Sequence, residues 1–368
     1  MKIVVIGTRG IPEIQGGVET HCQELYPRIA AMGHDVTVIR RTPYVNDTNR
    51  LATYRGVKLV DVYAPKKKSL EAVVHTFLAV IKARALNPDV VHVHAVGPAL
   101  LAPLARLLGM KVVWTNHGPD YDRQKWGRLA KAVLKTGERM GARFSNRVIV
   151  ISTVIAGILS EKYGRKDTEL IFNGVNSPVI LRSTDFLEQS GIRPGRYILA
   201  MGRLVEEKGF HDLIEAYLHW PLREAYQLVI AGDADHEDDY SRRLKATAKE
   251  HGVVMTGFIR GEKLGQVLAN AALFAMPSYH EGLPIALLEA MSYGLDVAVS
   301  DIPANRLDIL AKEDFFPVGS PDAISETLTR KLKDKADEAE PCRRAYDLSA
   351  YDWDNIARRT ADLYLSIR

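Results

Sequence analysis

Chemistry-bearing residues are densest in Ser278-Tyr279-His280-Glu281-Gly282-Leu283-Pro284-Ile285-Ala286-Leu287-Leu288-Glu289. Pro284 stands where the first turn of a helix has no use for the N–H that proline lacks. Glu281 then falls just before that helix and Glu289 about one and a half turns into it. Placed so, both carboxylates face one cleft and accept hydrogen bonds from sugar or ribose hydroxyls, while the N–H groups around Gly282 and Leu283 suit a diphosphate. Either glutamate alone reads as an ordinary acid near a helix start; the run as a whole favours a ligand site.

Three further segments carry compatible chemistry. In Gly202-Arg203-Leu204-Val205-Glu206-Glu207-Lys208-Gly209, the planar fork of Arg203 and the point charge of Lys208 suit a diphosphate and the charge it gains on departure. Taken singly, the two cations read as surface charges paired with Glu206 and Glu207; their position after a strand favours the site. Gly16-Gly17, after Gly7-Thr8-Arg9-Gly10-Ile11-Pro12, lets backbone approach an anion at a helix N-terminus. The Gly-x-Gly-x-x-Gly and Gly-Lys-Ser/Thr patterns are both absent, which weakens dehydrogenase and nucleotide triphosphatase readings. His117, in Trp114-Thr115-Asn116-His117-Gly118-Pro119, sits past a strand end, where polar site residues collect, and is a candidate for contact with a sugar.

Other patterns carry less. His92-Val93-His94 has no carboxylate or cysteine at ligand spacing, and Asp233-Ala234-Asp235 lies in an acidic loop that reads as a solvated helix start, so no metal is expected. Arg128, Lys131, Lys135, Arg139 and Arg143 recur every three or four residues. In a helix over 127–144 they share one face, suited to anionic lipid or a lipid-diphosphate, or simply to water. No aromatic platform accompanies them, which argues against nucleic acid.

The elements that must hold these residues follow from hydrophobic patterning. Short, nearly all-apolar runs at 2–7, 35–39, 57–62, 89–94, 111–116, 147–151 and 169–172 alternate with helical patterns at 18–32, 70–86 and 97–108, as in a doubly wound parallel sheet. A polar stretch over 173–196 with Pro178, Pro194, Gly191 and Gly195 reads as a linker. The pattern then resumes at 197–201, 226–231, 253–256, 272–276 and 296–300, with helices at 211–220 and 285–293. Two Rossmann-like domains are expected, over 1–175 and 176–351, with a closing helix at 352–368 returning to the first. Such sheets place ligands at the C-terminal ends of their strands. The charged stretch from Lys331 to Arg344 reads as a solvated helix or connection.

With 368 residues the chain has room for two cores. Its formal charge of +4 is too small for a general polyanion binder. Cys22 and Cys342 stand far apart, which excludes a disulfide scaffold or zinc finger and fits a reducing cytoplasm. No run reaches the roughly 18 apolar residues of a membrane span.

The whole pattern resembles the retaining glycosyltransferases of family 4, group 1 type, with the GT-B fold. Glu281 through Glu289 is similar to that family's two spaced glutamates. Gly202-Arg203 with Lys208-Gly209, Gly16-Gly17, Asn173-Gly174-Val175 and the closing Tyr351-Asp352-Trp353 support the likeness. The opening Gly-Thr-Arg-Gly-Ile-Pro and the segment from His117 to Arg123 and Lys125-Trp126 resemble a bacterial branch that builds polysaccharides or transfers rhamnose. The resemblance implies that Arg203 and Lys208 hold the diphosphate of a nucleotide-sugar donor, Glu281 the sugar hydroxyls, and Glu289 the ribose. Gly16 and Gly17 would meet the phosphate and reacting sugar, with His117 beside that sugar. It implies no metal or cofactor and a saccharide or lipid-diphosphate-linked acceptor. For such a cytoplasmic enzyme the basic face of Arg128, Lys131, Lys135 and Arg139, read as a lipid contact and not as a solvated face, would give association with the inner face of the membrane. An epimerase of the same fold and a non-catalytic nucleotide-sugar binder are the rival readings. Ala234 stands where the family often has glycine.

Overall fold

The computed structural model describes residues 1–65, 68–119, 121, 127–178, 183–234, 237–335 and 343–367. The chain divides into two compact units, Met1–Gly174 with Tyr351–Arg368, and Val175–Ala350.

The first unit runs β1 (Lys2–Ile6), α1 (Gly17–Ala31), β2 (Asp35–Arg41), β3 (Thr53–Tyr54), β4 (Val57–Val62), α2 (Lys68–Leu86), β5 (Val90–His94), α3 (Val96–Ala99), α4 (Ala102–Leu107), β6 (Val112–Asn116), α5 (Arg128–Phe144), β7 (Arg147–Val150), α6 (Thr153–Tyr163) and β8 (Thr168–Leu170). Its sheet has the order β3-β4-β2-β1-β5-β6-β7-β8, parallel throughout except for β3, which pairs antiparallel with β4. β5 and β6 are buried along their whole length, as strands covered on both faces must be. The register sets Ile6 beside Val93 and His94 beside Thr115, so the loops leaving β1, β5 and β6 open at one edge. The chain reverses direction across the sheet between β1 and β5, a position where α/β sheets open a crevice.

The second unit runs α7 (Asp185–Gln189), β9 (Tyr197–Met201), α8 (Phe210–Leu218), β10 (Gln227–Ala231), α9 (Asp239–Glu250), β11 (Val254–Gly257), α10 (Gly261–Asn270), β12 (Leu273–Met276), α11 (Ile285–Ser292), β13 (Val297–Ser300), β14 (Phe315–Phe316) and α12 (Pro321–Leu332). Its sheet is ordered β11-β10-β9-β12-β13-β14, all parallel. Here the reversal falls between β9 and β12, the strands that precede Gly202 and Ser278. The last helix, α13 (Trp353–Leu365), returns to the first unit. Asp352 caps it by accepting from Asn355 N at 2.8 Å, and Trp353, Ile356 and Tyr364 join Ile3, Leu25 and Ile29 in one core. Each such fully buried apolar side chain contributes about 1.5–3 kcal/mol by leaving water.

Three expectations need correction. The linker is shorter than 173–196: α7 lies inside it, and Leu187 and Ile192 belong to the second unit's core. The helix expected over 97–108 is two pieces, α3 and α4. The charged stretch from Lys331 to Arg344 is not simply solvated. Lys331 Nζ lies 2.7 Å from the fully buried Asp314 and 2.8 Å from Asp296, and Arg344 lies 2.8 Å from Asp314. A carboxylate removed from water needs such partners. Residues 336–342, with Cys342, lie outside the described residues.

Candidate functional site

In the second unit the two central motifs meet. Lys208 Nζ stands 2.5 Å from Glu281 Oε1, and both side chains are largely shielded from water. Ser278 Oγ donates to the same carboxylate at 2.7 Å. Burial alone would raise the Glu281 carboxyl, but the Lys208 charge, with the two hydrogen bonds, holds it below the usual carboxylate value. The glutamate is therefore a dedicated acceptor at neutral pH.

Glycines make this approach possible. Gly209 has φ +66, and a Cβ there would lie 2.2 Å from the carbonyl oxygen of Pro277. Only glycine lets the 202–209 loop close against the loop after β12. Tyr279 N donates to Glu207 O at 2.8 Å, and the Tyr279 hydroxyl donates to Asp212 at 2.7 Å, with its ring stacked on His211 at 6.0 Å. Gly232, at φ +141, would press a Cβ to 1.9 Å from Gly202 O, so the loops after β9 and β10 also touch. Arg203 and Gly282 are partly buried and Leu283 is buried. Pro284 is the N-cap of α11, and Glu289, partly buried, is the fifth residue of that helix, as the proline position requires. Sequence reasoning missed Glu207 Oε1, a buried carboxylate oxygen with no hydrogen-bond partner among the described residues. Asp233 is ion-paired with Lys245 at 2.8 Å, the ordinary role of an exposed acid. Asp235 lies outside the described residues, and Ala234 packs against the core.

In the first unit, Gly16 is the N-cap of α1 with φ 149 and no side-chain cap. A Cβ on Gly16 would lie 2.0 Å from Glu19 Oε2, whereas one on Gly17 would meet nothing within 4 Å. Glu19 is itself committed: its Oε1 accepts from Thr8 Oγ1 at 3.2 Å and Arg9 N at 3.0 Å. The open side of the helix start is thus at Gly17.

His117 follows β6 and is partly buried. Its Nε2 lies 2.9 Å from His94 Nδ1. Behind it runs a buried polar cluster the spacing did not reveal. The Tyr26 hydroxyl touches His94 Nε2 and lies 2.9 Å from His92 Nδ1. His92 reaches Tyr364 of α13 at 2.6 Å and Thr115 at 2.7 Å. His21, from α1, stacks edge-on to His117 at 5.0 Å, and its Nδ1 is 2.9 Å from Asn173 Oδ1. Burial, then the charge of neighbouring histidines, holds His21 and His117 down to about 3 and pushes His92 and His94 well below the usual value. In the sequence the cluster showed only as separate pieces, the pair His92 and His94, the lone His117 and Asn173.

The basic residues of α5 do share a face. Arg128, Lys135, Arg139 and Arg143 are exposed and Lys131 partly so. Gly137, Glu138, Gly141 and Ala142 of the same helix are buried. A Cβ on Gly137 would lie 2.2 Å from Val96 O, and one on Gly141 2.7 Å from the Trp114 ring, so the glycines set how closely α5 packs on α3 and β6. Arg123 and Lys125-Trp126 lie outside the described residues. Among the described residues no helix is long and apolar enough to cross a membrane.

Residues 15–177 match the profile of Glycosyltransferase Family 4 and residues 183–347 that of glycosyl transferases group 1. The chain is 27% identical to an uncharacterised glycosyltransferase of Methanocaldococcus jannaschii, covering 99% of this chain and 98% of that one. It is 26% identical to the GDP-mannose:cellobiosyl-diphosphopolyprenol alpha-mannosyltransferase of Xanthomonas oryzae, over 76% of this chain and 74% of the relative. The crystal structure of HepE from Anabaena in complex with UDP-glucose superposes with a TM-score of 0.79 at 18% identity, covering both chains fully. The two parallel-sheet units are those of the GT-B fold.

Proposed function

We propose that this chain, a member of the family 4 and group 1 glycosyltransferases, moves a sugar from a nucleotide-diphosphate sugar to a saccharide or lipid-linked saccharide, with retention of configuration and without a metal. The observation that carries the reading is the largely shielded Lys208–Glu281 pair at the β9/β12 reversal. It sets a cation suited to a diphosphate against a carboxylate suited to sugar hydroxyls. The Xanthomonas relative, named for a diphosphopolyprenol acceptor, supports a lipid-linked acceptor, and the HepE complex supports a nucleoside-diphosphate sugar as donor.

In this reading Arg203 and Lys208 neutralise the diphosphate, Glu281 and the N–H groups near Gly282 and Leu283 orient the donor sugar and phosphate, and Glu289 takes the ribose hydroxyls. On the first unit, the backbone N–H groups at Gly16 and Gly17 and the His117 side chain are the groups suited to a phosphate and a sugar. The bond between the anomeric carbon and the phosphate oxygen breaks with its electron pair on the diphosphate. The acceptor oxygen bonds to the same face of that carbon, and its proton passes to a diphosphate oxygen. No protein nucleophile takes part. The exposed cations of α5 would hold the enzyme against an anionic membrane while it reaches a lipid-linked acceptor.

A donor panel tests the proposal: thermal stabilisation and release of nucleoside diphosphate are followed with and without EDTA. Stabilisation by one donor with EDTA-insensitive release, lost in Glu281→Ala, is expected. Release abolished by EDTA would overturn metal independence. A rearranged donor formed with no acceptor present would favour an epimerase, and binding with no turnover across a broad acceptor panel would favour a binding protein.

A further inference from the structure

Three histidines from three separate elements converge in the first unit: His21 from α1, His94 at the end of β5 and His117 past β6. One ring nitrogen of each lies within 4.8 Å of the other two. Two are oriented from behind. Asn173 Oδ1 can only accept, so His21 Nδ1 carries the proton and its Nε2 the lone pair. His94 Nε2 is taken by the Tyr26 hydroxyl, which leaves Nδ1 facing His117 Nε2 at 2.9 Å. Outer-sphere partners of this kind are what imidazole ligands have around a metal. Burial keeps the rings neutral, and neutral imidazole is the ligating form.

We propose that His21 Nε2, His94 Nδ1 and His117 Nε2 bind a divalent ion of the Zn²⁺ class, water completing a tetrahedral site, and that this ion inhibits sugar transfer. The binding claim stands on the first unit alone; the inhibition rests on the reading of His117 given above, because an ion on that ring removes it from the sugar. Imidazole-only sites suit Zn²⁺, Cu²⁺, Ni²⁺ and Co²⁺ and disfavour Mg²⁺, Ca²⁺ and Mn²⁺. Nitrogens about 2.0–2.1 Å from a tetrahedral ion stand roughly 3.3 Å apart, so the His94–His117 contact opens by a few tenths of an ångström and His21 closes in. The one proton between His94 and His117 moves to the outer nitrogen of the ring that carries it. Three dative bonds form and every ring stays neutral.

The test is titration of the chelator-treated full-length protein with Co²⁺ alone, read by its visible absorption. A tetrahedral-type band saturating at one ion per chain is expected, absent in His21→Asn and in His94→Gln. It should survive in His211→Gln of the second unit, while Asn173→Ala weakens binding by about 10–100-fold. Thermal unfolding of each variant shows that it is folded, and His21→Asn suffices should His94→Gln not fold. No band, or an unchanged band in His21→Asn, overturns the site; equal affinity for Mg²⁺ overturns the ion class. Zn²⁺ should then lower donor turnover in the parent protein, with the ratio of activities with and without Zn²⁺ returning toward one in His21→Asn. A Co²⁺ band in a protein that turns over no donor would refute the transferase reading and leave the site standing. Turnover with no band does the reverse.

Discussion

Lys208 and Glu281, 73 residues apart in the chain, form a 2.5 Å ion pair that is largely shielded from water. Removing one partner of such a pair strands a charge, at a cost of about 3–5 kcal/mol. Lys208→Met should therefore lower stability by that order in urea unfolding and abolish donor-induced stabilisation. The double variant Lys208→Met with Glu281→Gln should regain much of the stability and none of the turnover. Full stability in Lys208→Met would contradict an energetically coupled, shielded pair.

The histidine cluster makes the fold acid-sensitive. In the native state His21 and His117 titrate near 3, held there by burial, whereas in the unfolded chain histidines titrate near 6.5. Between those values the unfolded chain binds more protons, so stability is fully present above about pH 6.5 and falls as the pH drops. Each such histidine steepens the fall by about 1.4 kcal/mol per pH unit. Melting temperatures measured from pH 7.5 to 5 should decline, and His21→Asn should decline less steeply. Parallel slopes would show that His21 is already protonated in the native state.

Gly209→Ala tests the loop closure. The variant combines φ +66 with a Cβ 2.2 Å from Pro277 O, and since backbone rather than a flexible side chain is in the way, it must move the loop. A loss of about 1–3 kcal/mol is expected, together with weaker donor-induced stabilisation because Lys208 is the next residue. Gly17→Ala, which meets no atom within 4 Å, should keep the stability.

The exposed cations of α5 should give salt-sensitive sedimentation with vesicles containing anionic lipid, each cation near the surface contributing about 1 kcal/mol. Changing Lys131, Lys135 and Arg139 to Glu should abolish it. Equal binding by that variant, or binding indifferent to salt, would remove the electrostatic basis.

Much of this was legible in the chain itself. Parallel strands buried on both faces are mostly apolar, so β1, β9 and β12 announce themselves as short, nearly all-apolar runs and β5 as three valines around His92 and His94, and Pro284 marks the start of α11 by what proline cannot donate. Motifs that follow such strands, at Gly202, Ser278 and His117, must then lie at strand ends. The two-residue strands β3 and β14 are too short to show a period.

Local sequence determined the strands, the helix starts and the residue types set at the strand ends, because those depend on periodicity and on backbone preferences over a few neighbours. Tertiary structure alone decided which of those residues touch. Lys208 meets Glu281 because Gly209 lets one loop lie against Pro277. His21, His94 and His117 meet because β5 and β6 are neighbours in the sheet and α1 sets the His21 ring against the other two. Lys331 and Arg344, whose charges read as solvated, are drawn to the buried Asp314 because a carboxylate taken out of water must be neutralised. Such contacts join residues 17 to 96 positions apart, and no pattern confined to a short window encodes them.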